Sequence, residues 1–357
     1  MERLAVVVFN LGGPDNPEAV EPFLFNLFND PAIISLPGIF RNPLAKLISR
    51  RRGPVARDIY AEIGGKSPLL EETQAQAEAL KNKLANLAGD VRVFIAMRYW
   101  HPFSEEAARE VKAFEPDQVV LLPLYPQFST TTTGSSLKAW DRAAEAVGLK
   151  APSRAVCCYP FEPGYIRGQA ELIRPAIEDA ERQMGGGKRA RVLFSAHGLP
   201  EKVIARGDPY QWQIEQTSAA VSDALAEALS RPDLDWAVCY QSRVGPLKWI
   251  GPSLEDELKR AGGDGAGVVV VPVAFVSEHS ETLVELDIEY RAVAEELGLP
   301  AYVRVPALAV QDDFIGGLAR MVEGCLGEPD GIVCLVGGET GGRLCPSNFK
   351  GCPLDTV

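Results

Sequence analysis

Val192-Leu193-Phe194-Ser195-Ala196-His197-Gly198-Leu199-Pro200 is a short, mostly apolar run that stops at a histidine and a turn bearing Gly and Pro; an amphipathic stretch of helix length, Gln211–Leu229, follows it. A continuous apolar run bounded by turn residues reads as a strand buried on both faces. The same alternation recurs in both directions along the chain. Strand-like runs fall at Leu4–Asn10, Val91–Met97, Gln118–Leu124, Arg154–Tyr159, Arg191–Ala196, Trp236–Tyr240, Val268–Val273 and Ala301–Val305. Helix-like segments such as Ser104–Phe114, Ser136–Val147, Tyr165–Met184, Ser280–Leu297 and Asp312–Leu326 lie between or after them. Strands alternating with helices imply right-handed crossovers and parallel sheets, an α/β fold. Eight strands in 357 residues fit two sheets of about four better than one large sheet. The boundary falls around 150–185, which gives units at 1–160 and 161–327 and a cysteine-containing tail at 328–357. The helix at Asp312–Leu326 could pack on either half.

Hydrophobic residues make up 46% of the chain and charged residues 24%, a globular composition. The net charge of -12 should repel a phosphate backbone, so nucleic acid is not an expected partner. The charge is uneven. Between Pro31 and Ile63, Arg41, Lys46, Arg50, Arg51, Arg52 and Arg57 face only Asp58 and Glu62. Such a patch suits an anionic ligand or an anionic membrane surface, or is a solvated basic helix. No apolar run reaches the roughly 18–20 residues that a membrane span needs. The opening segment reads as a strand and turn rather than a signal peptide, so a cytoplasmic protein is expected. Seven cysteines, an odd number without a Cys-x-x-Cys pair, argue against a disulfide framework and a zinc ribbon.

In parallel α/β sheets, function gathers beyond the carboxyl ends of the strands. Four strand ends carry polar or Gly-rich turns. Asn10-Leu11-Gly12-Gly13-Pro14 allows a close ligand approach or is a plain turn; the third glycine of the dinucleotide fingerprint is missing, so no nucleotide cofactor is expected. Tyr125-Pro126-Gln127 and the hydroxyl run Ser129–Thr133 with Gly134-Ser135-Ser136 form a capped helix start or an anion-binding loop. His197 is one of three histidines, with His101 and His279; a lone histidine is more often structural, but its place at a strand end argues for function. After the fourth strand, His279 precedes Glu281, Glu285 and Glu289, spaced along one helical row. That row is either a solvated acidic face or a set of carboxylates that, with a histidine, suits a divalent metal such as iron.

These motifs, taken in order, resemble the ferrochelatase family. They are Asn10–Pro14; Arg51-Arg52; Tyr60; Ile63-Gly64-Gly65-Lys66-Ser67-Pro68; Arg98-Tyr99-Trp100-His101-Pro102; Tyr125-Pro126-Gln127; Thr132–Ser136; Phe194-Ser195-Ala196-His197; Arg206-Gly207-Asp208-Pro209-Tyr210; Gln241-Ser242-Arg243-Val244-Gly245-Pro246 with Trp249; and His279–Tyr290. The resemblance implies two Rossmann-like, chelatase-type domains with a porphyrin cleft between them. It implies insertion of ferrous iron, a substrate, into protoporphyrin IX; coproporphyrin as substrate, cobalt as metal, or a non-catalytic tetrapyrrole or iron carrier are the alternatives. His197 and Glu281 would be catalytic, and His197, Glu281, Glu285 and Glu289 would handle the metal. Leu11, Arg51, Arg52, Tyr60, Ser67, Arg98, Ser136 and Trp249 would bind porphyrin, and residues 27–63 would form a lip able to rest on a bilayer. The chain would act as a monomer or homodimer. Some members carry a [2Fe–2S] cluster on four cysteines. Here Cys334, Cys345 and Cys352 are three candidate ligands and Cys158 the fourth, ahead of Cys157, Cys239 and Cys325; free structural cysteines are the alternative.

Overall fold

The computed structural model describes residues 1–243, 247–340 and 342–354. In chain order the elements are β1 (Arg3–Asn10), α1 (Val20–Phe28), α2 (Gly38–Ala61), α3 (Leu69–Lys83), β2 (Asp90–Met97), α4 (Ser104–Phe114), β3 (Gln118–Pro123), α5 (Thr133–Val147), β4 (Ser153–Val156) and α6 (Pro163–Met184). They continue with β5 (Arg191–His197), α7 (Glu201–Ile204), α8 (Tyr210–Leu229), β6 (Trp236–Gln241), α9 (Leu254–Asp264), β7 (Val268–Pro272), a π-helix (Glu281–Glu289), α10 (Tyr290–Glu296), β8 (Tyr302–Arg304), α11 (Asp312–Leu326) and β9 (Gly331–Val333).

The first sheet runs β2-β1-β3-β4-β9 and the second β6-β5-β7-β8, with every neighbouring pair parallel. The second order repeats the first four strands of the first. In each half the chain steps to one side of its first strand and then crosses to the other, which leaves a crevice between β1 and β3 and another between β5 and β7. Leu4–Phe9 and Val192–Ala196 are buried on both faces, as helices on both sides of each sheet require. The first sheet has five strands, one more than its sequence pattern suggests. The extra strand, Gly331–Val333, is drawn from the tail and pairs with β4; three residues are too few to announce a strand by periodicity. α11 lays Phe314, Leu318 and Val322 into the core of Leu4, Val6 and Val8.

The halves are joined by α6, which gives Tyr165 to the first core and Ile173 and Ile177 to the second. A buried amide also bridges them. Gln76 on α3 donates to the carbonyls of Val276 at 2.8 Å and Ala309 at 3.1 Å, and accepts from Ser277 at 3.0 Å. α1 and α2 stand beside the first sheet as a lip, held by Val20, Phe23, Leu24, Tyr60 and Tyr99. At its tip Ile39 is 78% exposed and Phe40 64%. Among the described residues no helix is long and apolar enough to cross a membrane.

Candidate functional site

The carboxyl ends of the second sheet bring three segments together. β5 ends at His197, β6 at Gln241-Ser242, and the loop after β7 leads into the π-helix that begins at Glu281. His197 Nδ1 lies 2.8 Å from Glu281 Oε2, with the histidine side chain 39% exposed and the glutamate 27%. His197 Nε2 has no hydrogen-bond partner among the described residues, so one ring nitrogen is held and the other is free. Tyr210, at the start of α8, donates its hydroxyl to the carbonyl of His197 at 3.1 Å.

Ser242 ties the carboxylates to each other. Its backbone N–H donates to Glu285 Oε1 at 2.7 Å, and its hydroxyl lies 3.0 Å from Glu281 Oε2 and 2.5 Å from Glu285 Oε2. Gln241 adds an N–H to Glu285 at 3.2 Å. Ser242 sits at φ 60, the left-handed region that a non-glycine residue enters at a cost. A serine hydroxyl has one proton, so it can serve only one of the two carboxylates at a time. The pair is best satisfied when it shares one further proton, and the electrostatics place that proton on Glu285. Burial and the Glu281 charge raise the Glu285 carboxyl to about 7. Burial would raise Glu281 as well, but the charge and hydrogen bond of His197 outweigh it and hold Glu281 to about 2. His197 is raised: burial disfavours its cation, but the carboxylates of Glu281 and Glu285 favour it more. His279, by contrast, is lowered by burial, and its Nδ1 accepts the backbone N–H of Glu281 at 3.0 Å.

The glutamate row read from the sequence as α-helical is therefore a π-helix. Along it Glu281 and Glu285 meet at Ser242, whereas Glu289 is exposed at the far end. Among the described residues no three His, Cys, Asp or Glu side chains are gathered as for a single metal ion. The site is a hydrogen-bonded chain of titratable groups with one open nitrogen.

The expected porphyrin contacts surround the first crevice. Leu11 is partly buried in the lip cluster. Gly12, at φ 82, has the backbone of Trp100 against it, where a Cβ would come within 3.0 Å of an amide nitrogen. Ser67 is buried against Gly13. Arg51 and Arg52 are exposed on α2, the latter over the Phe28 ring at 5.8 Å. Burial raises the Tyr60 hydroxyl to about 12, and beside it lies the Ser280 hydroxyl from the other half. Arg98 is already engaged, at 2.8 Å from buried Asp30 and 2.7 Å from Ser135. Ser136 is buried in the first turn of α5 beside the Tyr125 hydroxyl. Trp249 is partly buried, its indole N–H without a partner among the described residues. The stretch Val244-Gly245-Pro246 of the sequence motif lies outside the described residues. His101 is remote in character, an exposed partner of Glu106 at the start of α4.

A second cluster lies where the tail returns to the first half. Cys157 and Cys158 follow β4, Cys334 follows β9, and Cys345 and Cys352 come from the tail; all are buried and unbridged. Cys352 contacts Cys157 and Cys345, and Cys158 contacts Cys334. Hydrogen bonds from Cys157 and Cys345 pull the Cys352 thiol down to about 3, while its partner Cys345 is pushed up. The tail is pinned by Gly351 N–H to the Gly207 carbonyl at 2.9 Å and by Arg343, whose guanidinium reaches four tail carbonyls. Cys239 and Cys325 lie apart from this group, in other cores. No three of these sulfurs are gathered as for a single ion, but Cys158 with Cys334 and Cys345 with Cys352 make two contacting pairs, the two sulfurs per iron that a [2Fe–2S] cluster requires. Sequence reading found the cysteines but missed Ser242 as a linker and Gln213, which touches two of the sulfurs.

A family model described as ferrochelatase matches residues 3–325. A ferrochelatase of Caulobacter vibrioides (strain NA1000 / CB15N) is 55% identical over 99% of this chain and 97% of its own. One of Phenylobacterium zucineum is 58% identical over 91% and 92%, and one of Hyphomonas neptunium 53% over 98% and 94%. Among solved structures, SirB from Bacillus subtilis with Fe3+ aligns over 92% of this chain and 99% of that one at a TM-score of 0.54 and 11% identity, a likeness of fold.

Proposed function

The chain belongs to the ferrochelatase family, enzymes that insert ferrous iron into protoporphyrin IX to form protohaem, and we propose that in it His197, Glu281 and Glu285 move the two protons that insertion releases. The arrangement that carries this proposal is the unbroken path from His197 Nδ1 through Glu281 and Ser242 to Glu285.

Insertion exchanges Fe²⁺ for two pyrrole protons, so iron enters and two protons must leave with no change in net charge. A flat ring hides its nitrogens in its plane; a buckled ring, gripped by the lip and the crevice, turns them outward. His197 Nε2 is the open atom and takes a pyrrole proton. To do so it must be neutral with its one proton on Nδ1, donated to Glu281; once Nε2 has taken the pyrrole proton, the Nδ1 proton passes by way of Glu281 and Ser242 toward Glu285. Glu285, poised at about 7, is suited to hold a proton and release it to water. His197 and Glu281 also make the first pair of ligands that an arriving ferrous ion would meet, with Glu285 behind them. Arg51 and Arg52 pair with the propionates, while Leu11, Tyr60, Ser67, Arg98, Ser136 and Trp249 line the ring's place. The unpartnered indole N–H of Trp249 supports this, since a buried donor calls for an acceptor.

Cys158, Cys334, Cys345 and Cys352 would hold a [2Fe–2S] cluster, which supplies a one-electron redox centre and a covalent tie between the tail and β4. Cys157 is then the spare sulfur. The units are 1–160 with its lip, 161–327, and the tail 328–357. The protein works in the cytoplasm, where the basic, apolar lip rests on anionic lipid. The test is anaerobic insertion of iron into protoporphyrin IX by Glu281→Gln and Ser242→Ala: both should be slowed with porphyrin binding intact. Unchanged turnover in both would remove the relay.

A further inference from the structure

Gln213 lies on the first turns of α8 and is fully buried. Its carboxamide is oriented by chemistry. The backbone N–H of Phe128 approaches one end at 2.7 Å, and an N–H can only donate, so that end is Oε1. The NH₂ end must then face the sulfurs, with Nε2 at 3.3 Å from Cys158 Sγ and 3.1 Å from Cys345 Sγ. Two donors thus have two sulfurs as their acceptors. A thiol is a weak acceptor, whereas a metal-bound thiolate is a strong one. A buried amide aimed in this way is poorly satisfied by thiols and well satisfied by cluster ligands.

We propose that Gln213 is a positioning residue for the cluster: it donates one N–H each to the thiolates of Cys158 and Cys345, selects Cys158 over Cys157 as the internal ligand, and raises the cluster's reduction potential. This rests on the presence of the cluster. Reduction adds one negative charge to the centre, and donors aimed at its sulfurs stabilise the reduced form more than the oxidised one. Cys157 receives no bond from Gln213. The contact also joins the halves, because Cys158 follows β4 of the first and α8 belongs to the second. Tyr210 is one turn earlier on α8 and holds the carbonyl of His197, so the helix end that touches the cluster also touches the site of insertion.

Gln213→Glu keeps an acceptor for Phe128 and removes both donors; Gln213→Met removes the polar group altogether. Iron and acid-labile sulfide are measured first, then the midpoint potential by anaerobic titration. Both variants should retain about two irons and two sulfides per chain, as the cluster type requires. Their potentials should be more negative than that of the unmodified protein, with Gln213→Glu the lowest because it adds a charge. An intact cluster with an unshifted potential in both would overturn the proposal. A parent protein without iron and sulfide would overturn the cluster itself, and the role of Gln213 with it. Should the variants lose the cluster on purification, pulsed EPR of the reduced parent, labelled with ¹⁵N at its glutamine amides, decides the matter: a nitrogen coupling is expected, and its absence contradicts the assignment.

Discussion

Ser242 has one hydroxyl proton and two carboxylates to serve, and this shortage makes Glu285 the titrating member of the site. The consequence for stability has a definite sign. Below its ordinary value of 4.5 the Glu285 carboxyl is protonated whether the chain is folded or not. Between that value and about 7 the folded protein holds a proton that the unfolded chain has released, so stability falls as pH rises through this window. Glu285→Gln should therefore melt higher than the parent at about pH 8 and lose that advantage near pH 4; equal melting temperatures at both would show that Glu285 is not held protonated. The rate of insertion should rise with pH in the parent, both as His197 becomes neutral and as Glu285 becomes free to accept at about 7; Glu285→Gln should lose the Glu285 part of the rise and keep that of His197. His197 and Glu281 were legible in the sequence because each stands where a buried strand gives way to a polar turn. Ser242 and Gln213 were not. Each is an ordinary polar residue whose role comes from partners distant in the chain, Glu281 and Glu285 for Ser242 and Phe128, Cys158 and Cys345 for Gln213.

At the scale of elements, the eight strands and the long helices follow from apolar periodicity, and α4 and α11 have the bounds the sequence suggests. The segment after His279 does not. Its residues favour a helix, but periodicity cannot separate an α-helix from a π-helix over nine residues. The lip is the element with the most direct test. Replacing Arg51 and Arg52 by Ala should raise the KM for porphyrin while changing kcat little, each desolvated charge-assisted bond being worth about 1.5–3 kcal/mol. The same change should weaken sedimentation with anionic vesicles, and salt should do so in the parent. An unchanged KM would put the propionates elsewhere. The tail has its own test. Cys345→Ser should remove the brown colour of anaerobically purified protein and lower its melting temperature, because ligand binding and folding of the tail are coupled; colourless parent protein with at least four titratable thiols would rule the cluster out.

Across the whole molecule the two halves repeat one strand order without repeating a sequence motif, so the fold class was legible in the residues themselves, whereas the likeness of the halves was expected only from the family resemblance. On the proposed function the labour divides: the first crevice, with its lip, would offer surfaces to a flat, anionic ring, and the second a nitrogen and two carboxylates to the ring's centre. Gln76 bridges the halves, and Gln76→Ala should cost about 1–3 kcal/mol by removing the partner of the Ala309 carbonyl and of the buried Ser277 hydroxyl, while the Val276 carbonyl keeps the Ala309 N–H; denaturant midpoints equal to the parent's would show that the bridge is not needed. The measurement that bears most directly on the site is anaerobic incubation of the parent and His197→Ala with ferrous iron and protoporphyrin IX, followed by haem absorbance, with porphyrin binding measured in parallel by fluorescence. The parent should form haem, and His197→Ala should bind porphyrin yet insert iron at least about a hundredfold more slowly, the loss expected for a proton acceptor. Near-normal turnover by His197→Ala would contradict the placement of the chemistry at the end of β5.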